Sequence, residues 1–239
     1  DHPAQKEGVT RKELDEIGCG SPVAHISLPW GEALRKRNLW MIMLMYHTYC
    51  WGSYFYLSWL HTYLTLGRGL TQDEMKVYST LPFIAGAIGN LVGGSVSDIL
   101  TRRYGLRFGR VSIGTLGLAV SAFCILGTAL TGSKYVAVAL LTFGYFSMDC
   151  MLPAAWSLCM DVGKRHAGAV SGAMNMAGQF GSFLSSVAFG YLVESWKSYN
   201  TPLILFAAML AISSFLFTRI NPEEPLVAEA ADPPVRLAA

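Results

Sequence analysis

Between residues 38 and 219 the chain falls into six apolar stretches, at about 38–63, 76–98, 110–131, 135–160, 166–193 and 201–219. Crossing the hydrocarbon layer of a bilayer takes about 20 residues of helix, and each stretch is near or above that length. A segment apolar on nearly all sides cannot be the surface helix of a soluble domain, which keeps one polar face. Inside lipid, each backbone N–H and C=O must find its partner within the protein, so such segments become helices. The expected fold is an all-α membrane protein with six transmembrane helices over residues 38–219. A cytoplasmic linker with short helices is expected over 1–37, and a disordered cytoplasmic tail over 220–239. Composition agrees: 14% of residues are charged, against about 25% in ordinary soluble domains.

The flanks orient the spans. Of the 18 Lys and Arg residues, 14 fall on one side of the six stretches, and only Arg68, Lys76, Lys134 and Lys197 fall on the other. The positive-inside rule places both termini and the Arg102–Arg110 loop in the cytoplasm. Trp30 and Trp40 are expected to anchor the first span at the interface. Short loops imply that sequential helices are antiparallel neighbours. In the linker, Thr10 and Glu13 fit a capping box. The chain begins at Asp1 with no signal-peptide pattern, so a processed chain or a piece of a longer one is expected. The five cysteines form no C-x-x-C pair and four lie in apolar runs, which predicts free packing thiols. Glycines recur within the spans, at 86, 89, 93 and 94, at 114 and 117, and at 168, 172, 178 and 181. Such spacing lets helix backbones approach closely.

The polar residues at membrane depth are the candidates for function. Asp149 lies 12 residues before Asp161, about 18 Å of helix from the membrane edge. Asn175 and Gln179 lie 10 and 14 residues past Arg165, about 15 and 21 Å inward. The two helices share a tight turn, so these groups share a depth, and a polar cluster near mid-membrane is where transporters bind their cargo. Asp149, Pro153 and Trp156 fall on one helix face. In the first span, His47, Trp51, Tyr54, Ser58 and His61 also fall on one face, expected to line a cavity or a helix interface. Asn90 of the second span is a further candidate for that cavity.

Two readings stay open at each position. Asp149 is either a group that takes and gives a proton or a hydrogen-bonded structural acid. Asn175 and Gln179 either touch substrate or bond across helices. Tyr54 and Trp156 are either site aromatics or packing aromatics, and His47 and His61 are candidates for satisfied structural histidines. The methionines around 148–160 and 174–176 read as core filler.

Three stretches carry a resemblance. GGSVSDILTRRYGLRFGR, Gly93 to Arg110, is similar to the cytoplasmic loop motif of the major facilitator superfamily. SYFYLSWLHTYL, Ser53 to Leu64, resembles the aromatic seventh helix of the anion:cation symporter family. PAAWSLCMDVGKRHAGAVSGAMNMAGQF, Pro153 to Phe180, resembles that family's tenth and eleventh helices, with Gln179 where the family has Asn. The opening residues are similar to the linker between its two halves. The family includes bacterial hexuronate, galactonate and glucarate permeases. The resemblance implies one half, the C-terminal six-helix half, of a major facilitator superfamily bundle in the bacterial inner membrane. It implies alternating-access transport of a small organic anion such as a sugar acid, coupled to protons. The N-terminal half, which holds the family's anion-binding Arg and main protonatable acids, would be a partner alongside the lipid bilayer. It places Tyr54, Trp156 and Asn175 toward substrate, with Gln179, Asp149 and His47 as further binding candidates.

Gating is expected at Asp98, Gly94, Arg102 and Arg103. A carboxylate ending one helix can sit against the start of another, and loop arginines can close a charge network that locks one access state. Arg107 and Arg110 are open to a second reading, as solvated arginines that only set topology. A truncated or non-transporting membrane partner is the alternative function. Enzyme activity is not expected, since neither G-x-S-x-G nor H-E-x-x-H occurs. No metal, cofactor or nucleic-acid partner is indicated.

Overall fold

The apolar stretches are helical, and the chain turns where a residue that tolerates unusual backbone angles interrupts them. The computed structural model describes Thr10, Lys12, Glu13 and residues 27–227. All regular structure among the described residues is helical. After the single turn α1 (Trp30–Ala33) comes α2 (Arg37–Ser58), then α3 (Leu60–Thr62) and a π-helical turn, Tyr63–Gly67. Then follow α4 (Gln72–Tyr78), α5 (Thr80–Tyr104), α6 (Leu106–Leu130), α7 (Lys134–Asp149) and α8 (Met151–Gly163). A 3₁₀ turn at Lys164–His166 leads into α9 (Ala167–Trp196), and α10 is Thr201–Thr218.

Among the described residues, four helical stretches are long and apolar enough to cross a membrane: Gln72–Tyr104, Leu106–Leu130, Lys134–Trp196 and Thr201–Thr218. The helix α2 is 22 residues long but is not among them, because His47, Thr48, Ser53 and its tyrosines lower its hydropathy. The 63-residue stretch Lys134–Trp196 would measure about 95 Å if straight. Instead it doubles back at Lys164, whose φ is +48°. On the two arms of that hairpin, Cys159 Sγ and Met174 Sδ meet at 3.4 Å.

The structure corrects several boundaries. The first expected span is broken at Trp59, where φ is −122°. The fourth is broken at Cys150, between α7 and α8. The expected Arg102–Arg110 loop is helix on both sides of one residue, Gly105, whose φ is +92°. Only glycine adopts that angle without strain, which makes the hairpin a single-residue corner. Sequential neighbours are not always partners either: α2 packs chiefly on α9 and α10 rather than on α5.

Glycines explain those pairings. A Cβ at Gly178 or Gly181 would collide with Tyr46 or with the His47 backbone, so α9 lies flush on α2. A Cβ at Gly89 or Gly93 would strike the carbonyls of Phe146 or Cys150, so α5 lies flush on the α7–α8 junction. Gly168 and Gly172 face open space and take no part in packing. Between α2, α9 and α10, the rings of Phe55, Phe189 and Phe206 stack into a core with centroids 5.6–6.0 Å apart.

Two features lie at the ends. The Thr10 and Glu13 capping box forms, with Thr10 N–H donating to Glu13 Oε2 at 2.8 Å; most of the linker falls outside the described residues. The expected disorder after residue 220 does not hold through Val227. Asn38 both donates to the Asn221 carbonyl and accepts from its N–H. Leu226 is buried, and its N–H reaches the Val162 carbonyl at 3.1 Å. An Asn on α2 and a buried Leu supply the tertiary contacts that local composition does not show. Cys50, Cys124, Cys150 and Cys159 are free thiols.

Candidate functional site

The polar residues singled out in the sequence divide into two clusters. The first is open. Tyr54 on α2 donates through its hydroxyl to Gln179 Oε1 on α9 at 2.9 Å, and Gln179 Nε2 lies 3.5 Å from Asn175 Oδ1. Asn175 and Gln179 are exposed, one helical turn apart on the same face. Trp156 of α8 is 41% exposed, its ring held edge-on by the Tyr46 ring at 6.4 Å. His47 is on the same side of α2, but it is occupied: its Nδ1 lies 3.0 Å from the Ala177 carbonyl, and its ring lies near Phe180. It braces α2 against α9. Ser58 continues the line toward Ser186 at 3.5 Å.

The expected five-residue face of α2 is not continuous. Trp51 is buried and packs edge-on against Phe206 of α10 at 6.0 Å. Its carbonyl accepts from Ser185 Oγ at 3.0 Å. His61 lies beyond the break at Trp59 and is exposed. A helical period predicts a shared face only while the helix runs unbroken, and five positions spaced over four turns also drift around the axis.

The second cluster is closed and does not include Asn175. Asp149, the last residue of α7, is 6% exposed. Asn90 Nδ2 of α5 donates to Asp149 Oδ2 at 3.1 Å and to the Gly86 carbonyl at 3.4 Å. Gly86 leaves the room: a Cβ there would stand 2.6 Å from Asp149 Oδ2. The rings of Tyr145 and Tyr56 pack beside it, 4.5 Å apart at their centroids. Asn175 and Asp149 thus face different neighbours.

The charge network at the far end of α5 has a different centre from the one expected. Arg110, in the first turn of α6, pairs with Asp98 at 2.7 Å and with Asp161 of α8 at 3.4 Å. It also donates to Ser97 Oγ at 3.1 Å. Its side chain is 13% exposed, so it is a buried bridge between three helices and not a solvated loop residue. Arg102 and Arg103 are exposed. Gly94 lies against Pro153 of α8 rather than in the network. The signal that points to Arg110 is a pair of opposite charges on either side of a one-residue hairpin, Asp98 before Gly105 and Arg110 after it. A helix running to Tyr104 brings them level.

The other end of the bundle carries a second polar lock. Arg68 donates to Tyr63 Oη and to the Thr131 carbonyl, both at 2.6 Å, and also to the Thr128 carbonyl. Lys134 pairs with Glu74 at 2.8 Å. No group of three or more His, Cys, Asp or Glu arranged for a metal occurs among the described residues.

The described residues thus hold an amide–phenol face on α2 and α9 and an arginine bridge between α5, α6 and α8. The chain is 32% identical to the probable sulfoacetate transporter SauU of Cupriavidus necator, over 93% of this chain and 52% of that protein. It is 27% identical to the probable galactarate/D-glucarate transporter GudP of Escherichia coli K12, over 90% and 51%. It is 26% identical to a D-galactonate transporter of Escherichia coli, over 90% and 53%. The chain spans about half the length of these curated relatives. The profile of the Major Facilitator Superfamily matches residues 1–186, and with that extent of agreement the chain belongs to the Major Facilitator Superfamily.

Proposed function

We propose that the chain is the C-terminal six-helix half of a secondary active transporter of the anion:cation symporter type. It would carry a small organic anion such as a sugar acid or sulfoacetate, in symport with protons, across the bacterial inner membrane. The six crossings in this reading are α2, α5, α6, the α7–α8 pair, α9 and α10. The observation that carries the reading is the open polar face of Tyr54, Gln179 and Asn175. These are neutral groups, able to donate to hydroxyl or acid oxygens without opposing a negative charge. Asp149 is bonded to Asn90 and not to them. A counter-charge for the anion would come from the N-terminal half, as the family resemblance implies.

Gating would rest on the Asp98–Arg110–Asp161 bridge. Arg102 and Arg103 would mark the cytoplasmic edge, and Gly94 would let α5 approach the Pro153 turn of α8. A bridge of this kind favours one arrangement of α5, α6 and α8 and releases when they separate.

Two measurements test the reading. Uptake of labelled sulfoacetate and glucarate by the complete transporter in proteoliposomes should be saturable. Asn175→Ala should raise KM about tenfold and Tyr54→Phe a few-fold, since each lost hydrogen bond is worth about 1 kcal/mol. Unchanged KM in both variants would remove this face from the binding site. Reporter fusions at Leu106 and after Arg219 should read cytoplasmic and a fusion at Arg68 external; a cytoplasmic signal at Arg68 would defeat the six-crossing topology.

A further inference from the structure

The Asp149 cluster is not used by the polar face, yet it buries an acid with one oxygen unpartnered. Asp149 is 6% exposed, and its Oδ1 is buried without any hydrogen-bond partner among the described residues. Its Oδ2 is held by Asn90. The same Asn90 amide nitrogen donates to the Gly86 carbonyl, so two acceptors fix which way the amide points. The arrangement therefore presents one satisfied carboxyl oxygen and one vacant one. An unpaired polar atom in a dry site costs free energy, and an acid kept there at the end of a helix calls for a ligand.

The surroundings decide which ligand. Among the described residues, no cation faces Asp149 from the elements packed against it. α5 offers Gly86, Asn90 and Gly93, and α6 brings Gly117 and Ser121 to this part of α7, with the thiol of Cys124 one turn beyond. From α2 come the phenols of Tyr46, Tyr49 and Tyr56, and α7 itself adds Tyr145. Cys150 follows in the chain. The nearest histidine on α2, His47, is turned to α9. A hard metal cation takes about six oxygen ligands, and Asn90 presents nitrogen here, so the cluster lacks the donors for one. A proton needs only the vacant oxygen.

We propose that Asp149, oriented by Asn90, is a proton-binding site of this half of the transporter, with Oδ1 the atom that takes and returns the proton. In the step, the Asp149 carboxylate accepts H⁺ from hydronium on one side of the membrane, leaving water and a neutral acid. It gives the proton back to water once the site opens to the other side. Two features supply the access. Asn90 is half-buried, so the bonded pair runs from the dry acid toward the surface of α5. Asp149 also sits at the junction of α7 and α8, with Cys150 between them and Pro153 in the first turn of α8. Pro153 lacks the N–H that would bond to the Asp149 carbonyl, so the junction can flex where the acid sits. Asn90 is a positioning residue in this scheme.

The proposal rests on the transport reading above, and the tests are chosen to separate the two. The first needs no transport: infrared spectra of the complete protein in detergent, recorded as pH is stepped. A carboxylic-acid carbonyl band should grow as pH falls, and Asp149→Asn should remove one carboxyl's share of it, the remainder coming from the acids elsewhere in the complete protein. Identical pH-dependent bands in the unmodified protein and in Asp149→Asn overturn the proposal. If that variant fails to fold, the unmodified protein and Asn90→Leu still decide it. Asn90→Leu should keep that share of the band but move the pH at which it is half formed, and an unmoved band would overturn the pairing.

The second test uses proteoliposomes. A one-unit pH gradient is worth about tenfold accumulation for one proton carried per anion. Asp149→Asn should lose that accumulation, because the amide keeps the Asn90 contact but cannot titrate. Accumulation that survives with its pH dependence intact overturns the proposal and leaves the transport reading standing. Absence of uptake in the unmodified transporter would instead defeat the transport reading.

Discussion

Gly93→Ala is expected to unfold at a clearly lower temperature than the unmodified protein, whereas Gly94→Ala, one residue along the same helix, is expected to keep its stability. The contrast comes from what each new Cβ would meet. At Gly93 it would fall on the backbone of Cys150, inside contact distance of the carbonyl oxygen, the Cα and, at 2.6 Å, the carbonyl carbon. Backbone at a helix junction cannot step aside as a flexible side chain does. The α5–α8 interface must open instead, taking with it the Asn90–Asp149 bond two levels away. Overpacking of this kind costs about 1–3 kcal/mol and sometimes more, a large share of the 5–15 kcal/mol that holds a typical protein folded. At Gly94 the nearest atom is Pro153 Cβ at 3.4 Å, an ordinary contact. Alanine there also gains up to about 1 kcal/mol of helix propensity. Fluorescence-detected size-exclusion chromatography of the two variants after mild heating separates the outcomes. A monodisperse Gly93→Ala peak equal to the unmodified one would show that α5 and α8 are not packed this closely.

The second large effect is expected at Arg110. In the complete transporter, Arg110→Ala should slow substrate translocation by about tenfold or more, equivalent to about 1.4 kcal/mol in the barrier. Substrate affinity should stay within a few-fold, since the residue is remote from the Tyr54–Asn175 face. The arginine joins Asp98 and Asp161 through different nitrogens, a geometry that suits a rigid guanidinium fork. Without it, the carboxylates of α5 and α8 lose the guanidinium that joins them. Arg110→Lys supplies one compact charge and should recover only part of the rate. Asp98→Asn should have the smaller effect, because Asp98 is more than half exposed and exposed ion pairs contribute little. Single-turnover exchange kinetics read the rate, and equilibrium binding reads the affinity. A loss of binding with an unchanged rate would place Arg110 in the binding site instead.

These two residues also show how far the sequence reaches. The stretch around Asp98 is recognisable in the sequence, yet the reading there gives the counter-charge to Arg102 and Arg103. The structure gives it to Arg110, because α5 continues as helix to Tyr104 and turns on Gly105 alone. Helix period then carries Arg102 and Arg103 outward and brings Arg110 level with Asp98. The glycine rows are likewise visible as a packing signal, but Gly93 and Gly94 look alike until their neighbours are known. Asn175 and Gln179 share a face, as their helical spacing gives, whereas the bond from Tyr54 to Gln179 is seen only in the structure. Trp51, on the same nominal face as Tyr54, turns into the core because α10 places Phe206 there.

Helix formation over the apolar stretches and the tight turn that joins α8 to α9 were determined by the sequence alone. Apolar length and backbone hydrogen bonding act within a segment and need no partner to act. Which helix each face meets was decided only by the tertiary structure. Asp149 faces Asn90 and not Asn175, α2 faces α9 and α10 and not α5, and residues 221–227 dock through Asn38 and Leu226. A helix in an apolar medium has several sides of nearly equal hydrophobicity, so burial does not choose among them. The choice falls to glycine contacts and single hydrogen bonds, which exist only once both partners are in place.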